Sequence, residues 1–294
     1  MNSRTWIGWM AIAAGLIITQ SANGFEGAST LKHYTVHKAL TPITVDGVMD
    51  EFAWESAQRV DGFTRILYTY PNIDYPTQAA MLWDDTYFYF AFSCVDPDMW
   101  TTKFNRDDHL WEEEVVEVFI DPDGDAKNYL ELEVNPLNVV VDLKILQLKP
   151  EWKSDIEWNI EGLKTAVKAH GTVNDSTDVD QGWTCEIAIP WTAFKDIPGA
   201  STEPPKEGEQ WRLNLYRIER VGGVGVNEKI RTLNDQLKAA KEARDCEQAL
   251  RLKDQIQKLN FLTEYTCWSG TYERGFHDPA RFGIVEFAAK RHIP

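Results

Sequence analysis

Apolar and polar residues alternate with period two along most of the chain. Residues 76–83 and 87–95 are two such runs joined across Asp84-Asp85-Thr86, and they predict a β-hairpin. In residues 115–120, Val116, Val118 and Ile120 alternate with Glu117 and Phe119. In residues 129–135, Leu130, Leu132 and Val134 share one face, with Glu131, Glu133 and Asn135 on the other. Further strands are predicted over 139–145, 163–169, 183–189, 211–218 and 262–268, and Pro190 to Phe194 reads as a single helical turn. Ahead of them, Ile43 to Trp54 reads as a short strand, an Asp46-Gly47 turn and an acidic helix start. Short strands, recurrent turn signals and little helix predict a mainly β chain, an antiparallel β-sandwich.

Residues 227–260 break this rhythm. Ile230, Leu233, Leu237 and Ala240, then Ala249, Leu252, Ile256 and Leu259, recur at three and four. That is helical period, and it predicts an α-helical hairpin inserted in the β domain, turning near Arg244-Asp245-Cys246. Residues 237–256 resemble the UVR motif of nucleotide-excision-repair proteins, a helical hairpin used for protein contacts. The resemblance implies a protein partner docking through 227–260; a charged hairpin decorating a loop is the alternative.

Arg4, the apolar run 6–19 and small residues up to Gly24 read as a signal peptide over 1–24, leaving a domain over 25–294. The expected location is therefore secreted or periplasmic, with no membrane association after cleavage. A net charge of −16 argues against nucleic acid, and neutral ligands and divalent cations stay open. Four cysteines form no CxxC pair; one or two disulfides, or buried thiols at Cys94 and Cys185, both fit. Twelve tryptophans suit a core, but they also suit sugar faces.

The chemistry concentrates in residues 109–125. A charged Glu117 inside a strand faces water or is held for a purpose, because an unpaired buried carboxylate is costly. Arg217 is a candidate ion partner for it, or itself a hydroxyl donor. Trp111 sits among charged residues, which suits a ligand platform or a loop anchor. Asp121, Asp123 and Asp125 form an oxygen-rich turn that could hold calcium, without the EF-hand spacing; a solvated acidic turn is the competing reading.

Several stretches fall in a familiar order: Ile43 to Trp54, Leu82 to Phe92, Trp111 to Asp121, Glu133 to Pro136, Gly182 to Trp191, Gly208 to Arg217, Trp268, and Phe276 to Gly283. In this order they resemble the family 9-like carbohydrate-binding modules over roughly residues 41–287. The resemblance implies a DOMON-like β-sandwich that clamps a sugar ring between aromatics and carries structural calcium. It places the first clamp at Trp111 and a hydroxyl-accepting carboxylate at Glu117. The second clamp falls at Phe276, with His277 beside it, and Trp268 matches a tryptophan upstream of that clamp. Glu133 stands where the family has an arginine, and Tyr216 where it has a glutamine. Phe276 also reads as core, and His277 as a loop-ordering histidine.

No G-x-S-x-G, HExxH or P-loop pattern is present, so binding without catalysis is expected, in the company of xylan-degrading enzymes. The alternative cofactor is haem b, held in a related fold by Met and Lys; here Met99 with Lys103, or His109, would serve.

Overall fold

The computed structural model describes residues 31–289 apart from 61, 67–72, 198–199, 261 and 273–274. The expected signal peptide lies outside the described residues. In chain order the elements are β1 (His33–Lys38), α1 (Phe52–Ser56), β2 (Arg59–Val60), β3 (Thr64–Arg65), β4 (Thr77–Trp83) and β5 (Tyr87–Val95). Then come β6 (Val115–Asp121), β7 (Tyr129–Val134), β8 (Val140–Gln147), β9 (Lys153–Asp155), β10 (Lys164–His170) and β11 (Gly182–Pro190). They are followed by β12 (Gln210–Arg220), α2 (Gly223–Glu242), α3 (Cys246–Asn260), β13 (Thr263–Cys267) and β14 (Gly283–Ala288).

The strands hydrogen-bond into one continuous sheet, β10-β11-β5-β4-β1-β14-β12-β6-β7-β8-β9, with β13 also paired to β12. β1 runs parallel to both β4 and β14 and joins the two halves. This corrects the expected antiparallel sandwich to a single curled, mixed sheet. Alternation tells which face a side chain takes, but it is blind to the direction of a neighbouring strand. The long connection from β1 to β4 permits the parallel pairing.

The curl brings the halves together over one core. Met81, Phe90, Trp183 and Ile187 from one side meet Val118, Leu132 and Leu215 from the other. Trp191 and Trp211 fill its end, Trp191 stacked on Phe88 at 5.8 Å and edge-on to Trp211 at 5.9 Å. Each such ring contributes roughly 1.5–3 kcal/mol by leaving water. Much of the tryptophan content is thus structural. Buried Glu186 on β11 ties down the segment before α1 by accepting the N–H groups of Asp46, Gly47 and the Trp54 indole. Gly47, at φ 85°, passes so close to β10 that a Cβ would lie 2.8 Å from the Lys168 backbone.

The opposite face of β6, β7, β8 and β12 carries a second cluster, with Phe119, Tyr129, Leu143, Tyr216 and Phe276. Between β12 and β13 the chain leaves the sheet as α2 and α3. These pack through Leu233, Leu237 and Ala240 against Leu252 and Ile256. The Asp245 carboxylate accepts the Gln248 N–H to cap α3. Cys94, Cys185, Cys246 and Cys267 are all free thiols, the first two buried in neighbouring strands. Among the described residues no helix is long and apolar enough to cross a membrane.

Candidate functional site

The outward face of β6 and β7 is the floor of a cleft of about 810 Å³. Glu117 lies directly opposite Glu133, and Phe119 opposite Glu131, across the two strands. Val116, Val118 and Leu132, one residue out of step, point into the core instead. Period-two geometry therefore forces all three glutamates onto the second face. All are buried, and Glu117 and Glu131 line the cleft.

Aromatic side chains make the walls. A 3₁₀ turn over Leu110–Glu112 carries Trp111, whose ring stacks on His109 at 4.5 Å. Arg220 donates to the Trp111 carbonyl and lies over the Tyr265 ring, holding that wall to β12 and β13. Phe276 stacks on Tyr216 at 4.2 Å, and the Tyr216 hydroxyl donates to the Phe276 carbonyl. His277 stacks on Phe119 and meets half-exposed Trp152 edge-on at 4.6 Å. The last wall is the start of α2, through Asn227, Ile230 and Arg231. Arg231 reaches buried Glu113 at 3.5 Å.

Burial dominates the electrostatics. Desolvation pushes the Glu131 carboxyl up to about 8. It also holds Glu117 and Glu133 well above the carboxylate range, with the neighbouring glutamates adding to the rise. His277 is pushed down to about 4 by burial, so its ring is neutral, and Nδ1 is hydrogen-bonded to the Tyr129 hydroxyl at 2.6 Å.

The structure brings Trp111, Glu117, Phe276 and His277 to one cleft, with Glu133 beneath them and Tyr216 behind Phe276. It does not bring Arg217 or Trp268. Arg217 points to the other side of β12, opposite Val116 rather than Glu117. There it pairs with Asp96 at 3.0 Å and with Glu219, and lies over the Trp183 ring. The expected Glu117–Arg217 pair is therefore corrected: adjacent β residues face opposite ways. Trp268 packs in the core edge-on to Tyr34 and against Gly283, where a Cβ would come within 2.4 Å of its ring.

Glu131, Trp152, Tyr265 and the α2 residues were missed as site residues. Alternation already placed Glu131 beside Glu133, so that signal existed in the sequence. Nothing local marked Trp152 or α2, because they reach the cleft from segments distant in the chain. Met99 is fully buried in the core, whereas His109 lines the cleft, so the fold sets these two haem candidates in different surroundings.

Asp121, Asp123 and Asp125 each bring a carboxylate oxygen within 4.8 Å of the others. Asp121 is held by N–H groups of Gly124 and Ala126, while Asp123 and Asp125 stay exposed. This all-oxygen donor set, with room for water, fits a hard cation such as calcium.

Residues 45–290 match the family described as Carbohydrate family 9 binding domain-like. The chain belongs to that family. Its modules bind carbohydrate and are non-catalytic. Over 159 residues the chain is 24% identical to exoglucanase XynX of Acetivibrio thermocellus and 26% identical to endo-1,4-beta-xylanase A of Thermoanaerobacterium saccharolyticum. Those matches span 54% of this chain but only 12% of each enzyme. A family 9 carbohydrate binding module from Caldicellulosiruptor kristjanssonii, solved in complex with cellotriose, superposes with a TM-score of 0.51 at 14% identity, covering 89% of this chain and 96% of that one. Its complex with glucose gives 0.51 at 13% identity, covering 89% and 99%. At these identities the likeness establishes the fold.

Proposed function

We propose that this chain is an exported, non-catalytic carbohydrate-binding protein whose ligand sits in the cleft between Trp111 and Phe276. The observation that carries the reading is the Trp111 ring set beside a floor of buried carboxylates. A sugar presents an apolar C–H face ringed by hydroxyls, so it needs an aromatic surface and fixed hydrogen-bond acceptors together. Family membership supports the reading, as do the cellotriose and glucose complexes of the Caldicellulosiruptor module. Export rests on the leader pattern over residues 1–24. The names of the xylan- and glucan-degrading relatives favour a role beside polysaccharide-degrading enzymes.

In this reading Glu117 accepts sugar hydroxyls, Trp111 stacks on the ring and Phe276 closes the opposite side. Tyr216 and His277 position these groups, acting through Phe276 and Phe119. Asp121, Asp123 and Asp125 would hold a structural calcium at the end of β6, which fixes the turn between β6 and β7. The test is a glycan array on the mature protein, followed by calorimetry on the hits, with and without chelator. At least one saccharide should bind with one-to-one stoichiometry. If none binds in either condition, the carbohydrate reading is wrong, and α2 and α3 become the place to look for a protein partner.

A further inference from the structure

The cleft floor carries more carboxyl groups than a neutral sugar calls for. Glu117, Glu131 and Glu133 each offer an oxygen, and these oxygens lie within 4.8 Å of one another. All three residues are more than nine-tenths buried. Among the described residues Glu117 Oε1 has no hydrogen-bond partner, and Glu131 Oε2 and the Glu133 carboxyl face only each other, with the Trp111 backbone N–H near Glu133.

Among the described residues no lysine or arginine forms an ion pair with these three carboxyls. His277 Nδ1 lies 3.9 Å from Glu131, but it is already hydrogen-bonded to the Tyr129 hydroxyl, and burial keeps its ring neutral. Arg220 lines the same cleft with its Nε unpartnered, but its terminal nitrogens are directed at the Trp111 carbonyl and Thr263, and its guanidinium lies over the Tyr265 ring. Arg231 is turned to Glu113. Buried carboxyls are normally partnered, so the missing donors point to the ligand, and a cationic donor would draw these groups into their ionised form.

We infer that the cleft selects a sugar bearing a free ammonium group, a deacetylated amino sugar of the glucosamine kind, with the ammonium on the Glu117–Glu131–Glu133 floor and the ring against Trp111. An alkylammonium carries three N–H donors, one for each carboxylate that converges here. The surrounding rings of Trp111, Tyr265 and Phe276 suit both the C–H face of the sugar and the cation. A metal ion would satisfy the floor alone and leave these aromatic walls without a role. The inference rests on the carbohydrate reading of the same cleft.

The experiment is calorimetry on the mature wild-type protein at neutral pH with glucosamine, glucose, N-acetylglucosamine, cellobiose and calcium chloride as separate titrants. Glucosamine should bind about tenfold or more tighter than glucose or N-acetylglucosamine. That preference should shrink in high salt and in Glu131→Gln and Glu133→Gln. Because the comparison among ligands uses the wild type, it stands even if a variant fails to fold. Equal affinity for glucosamine and glucose overturns the inference and leaves the carbohydrate reading standing. Binding of none of the sugars, on the array as well, overturns both. Calcium binding that Glu131→Gln abolishes, without any amine preference, assigns the floor to a metal ion and overturns the inference.

Discussion

Glu117 and Glu133 stand directly opposite one another on β6 and β7, both buried on the cleft face. Like charges in register oppose strand pairing. At an effective dielectric of about 20, two carboxylates roughly 4 Å apart repel by about 4 kcal/mol. The fold holds them together by keeping protons on them, or by binding something positive.

The stability of the ligand-free protein should therefore fall as pH rises. Glu131 is raised in the folded state from 4.5 to about 8. A raised carboxyl contributes stability below its unfolded value and loses it as pH climbs through the folded one. Glu117 neighbours it from β6, Tyr129 and Glu133 flank it on its own strand, His277 approaches from the loop, and His109, Glu112, Arg220 and Arg231 line the same cleft. Of the two arginines, Arg231 lies 3.5 Å from Glu113 and Arg220 is directed at the Trp111 carbonyl, so neither pairs with Glu131. Melting curves across this window should show Tm dropping, with a shallower drop in Glu131→Gln. A Tm that rises through the same window would contradict the burial argument.

Trp111→Ala should weaken sugar binding by about 10- to 100-fold, the loss of roughly 1.5–3 kcal/mol of aromatic contact. Trp111 is only partly buried, so Tm should move little. Calorimetry paired with thermal melting separates the two effects; a large Tm loss with intact binding would make Trp111 a loop anchor.

Arg217→Met should destabilise the protein by about 3–5 kcal/mol, since it strands Asp96 and Glu219 in the core without their cation. Urea denaturation monitored by tryptophan fluorescence reads this directly. A change near zero would mean that those carboxylates are protonated in the native state.

Ile230→Ala tests whether α2 is a wall of the cleft or mere decoration. The side chain lines the cleft from the inserted hairpin. Its truncation should weaken the sugar by about 1 kcal/mol, some fivefold, with the hairpin core of Leu233 and Leu237 intact. Unchanged affinity would remove α2 from the site.

Calcium should raise Tm through the turn after β6, and Asp125→Asn should blunt that rise. Far-ultraviolet circular dichroism melts with calcium and with chelator make the comparison. An identical rise in the variant would place the ion elsewhere.

Alternation by itself determined the faces of the strands. Val118 and Leu132 go to the core, while Glu117, Glu131 and Glu133 go to the other side, because successive β residues must point apart. The same rule, applied to β12, already separated Arg217 from Tyr216. The helical spacing of Leu233, Leu237, Leu252 and Ile256 was equally legible, since a 3.6-residue period survives without any tertiary information. Only the tertiary structure decided that β1 joins the halves in parallel, and that Trp268 is core while Trp152 is cleft. It alone brought the start of α2 to the same cleft as Trp111. These depend on contacts between residues far apart in the chain, and on the curl of the sheet, which no local period encodes.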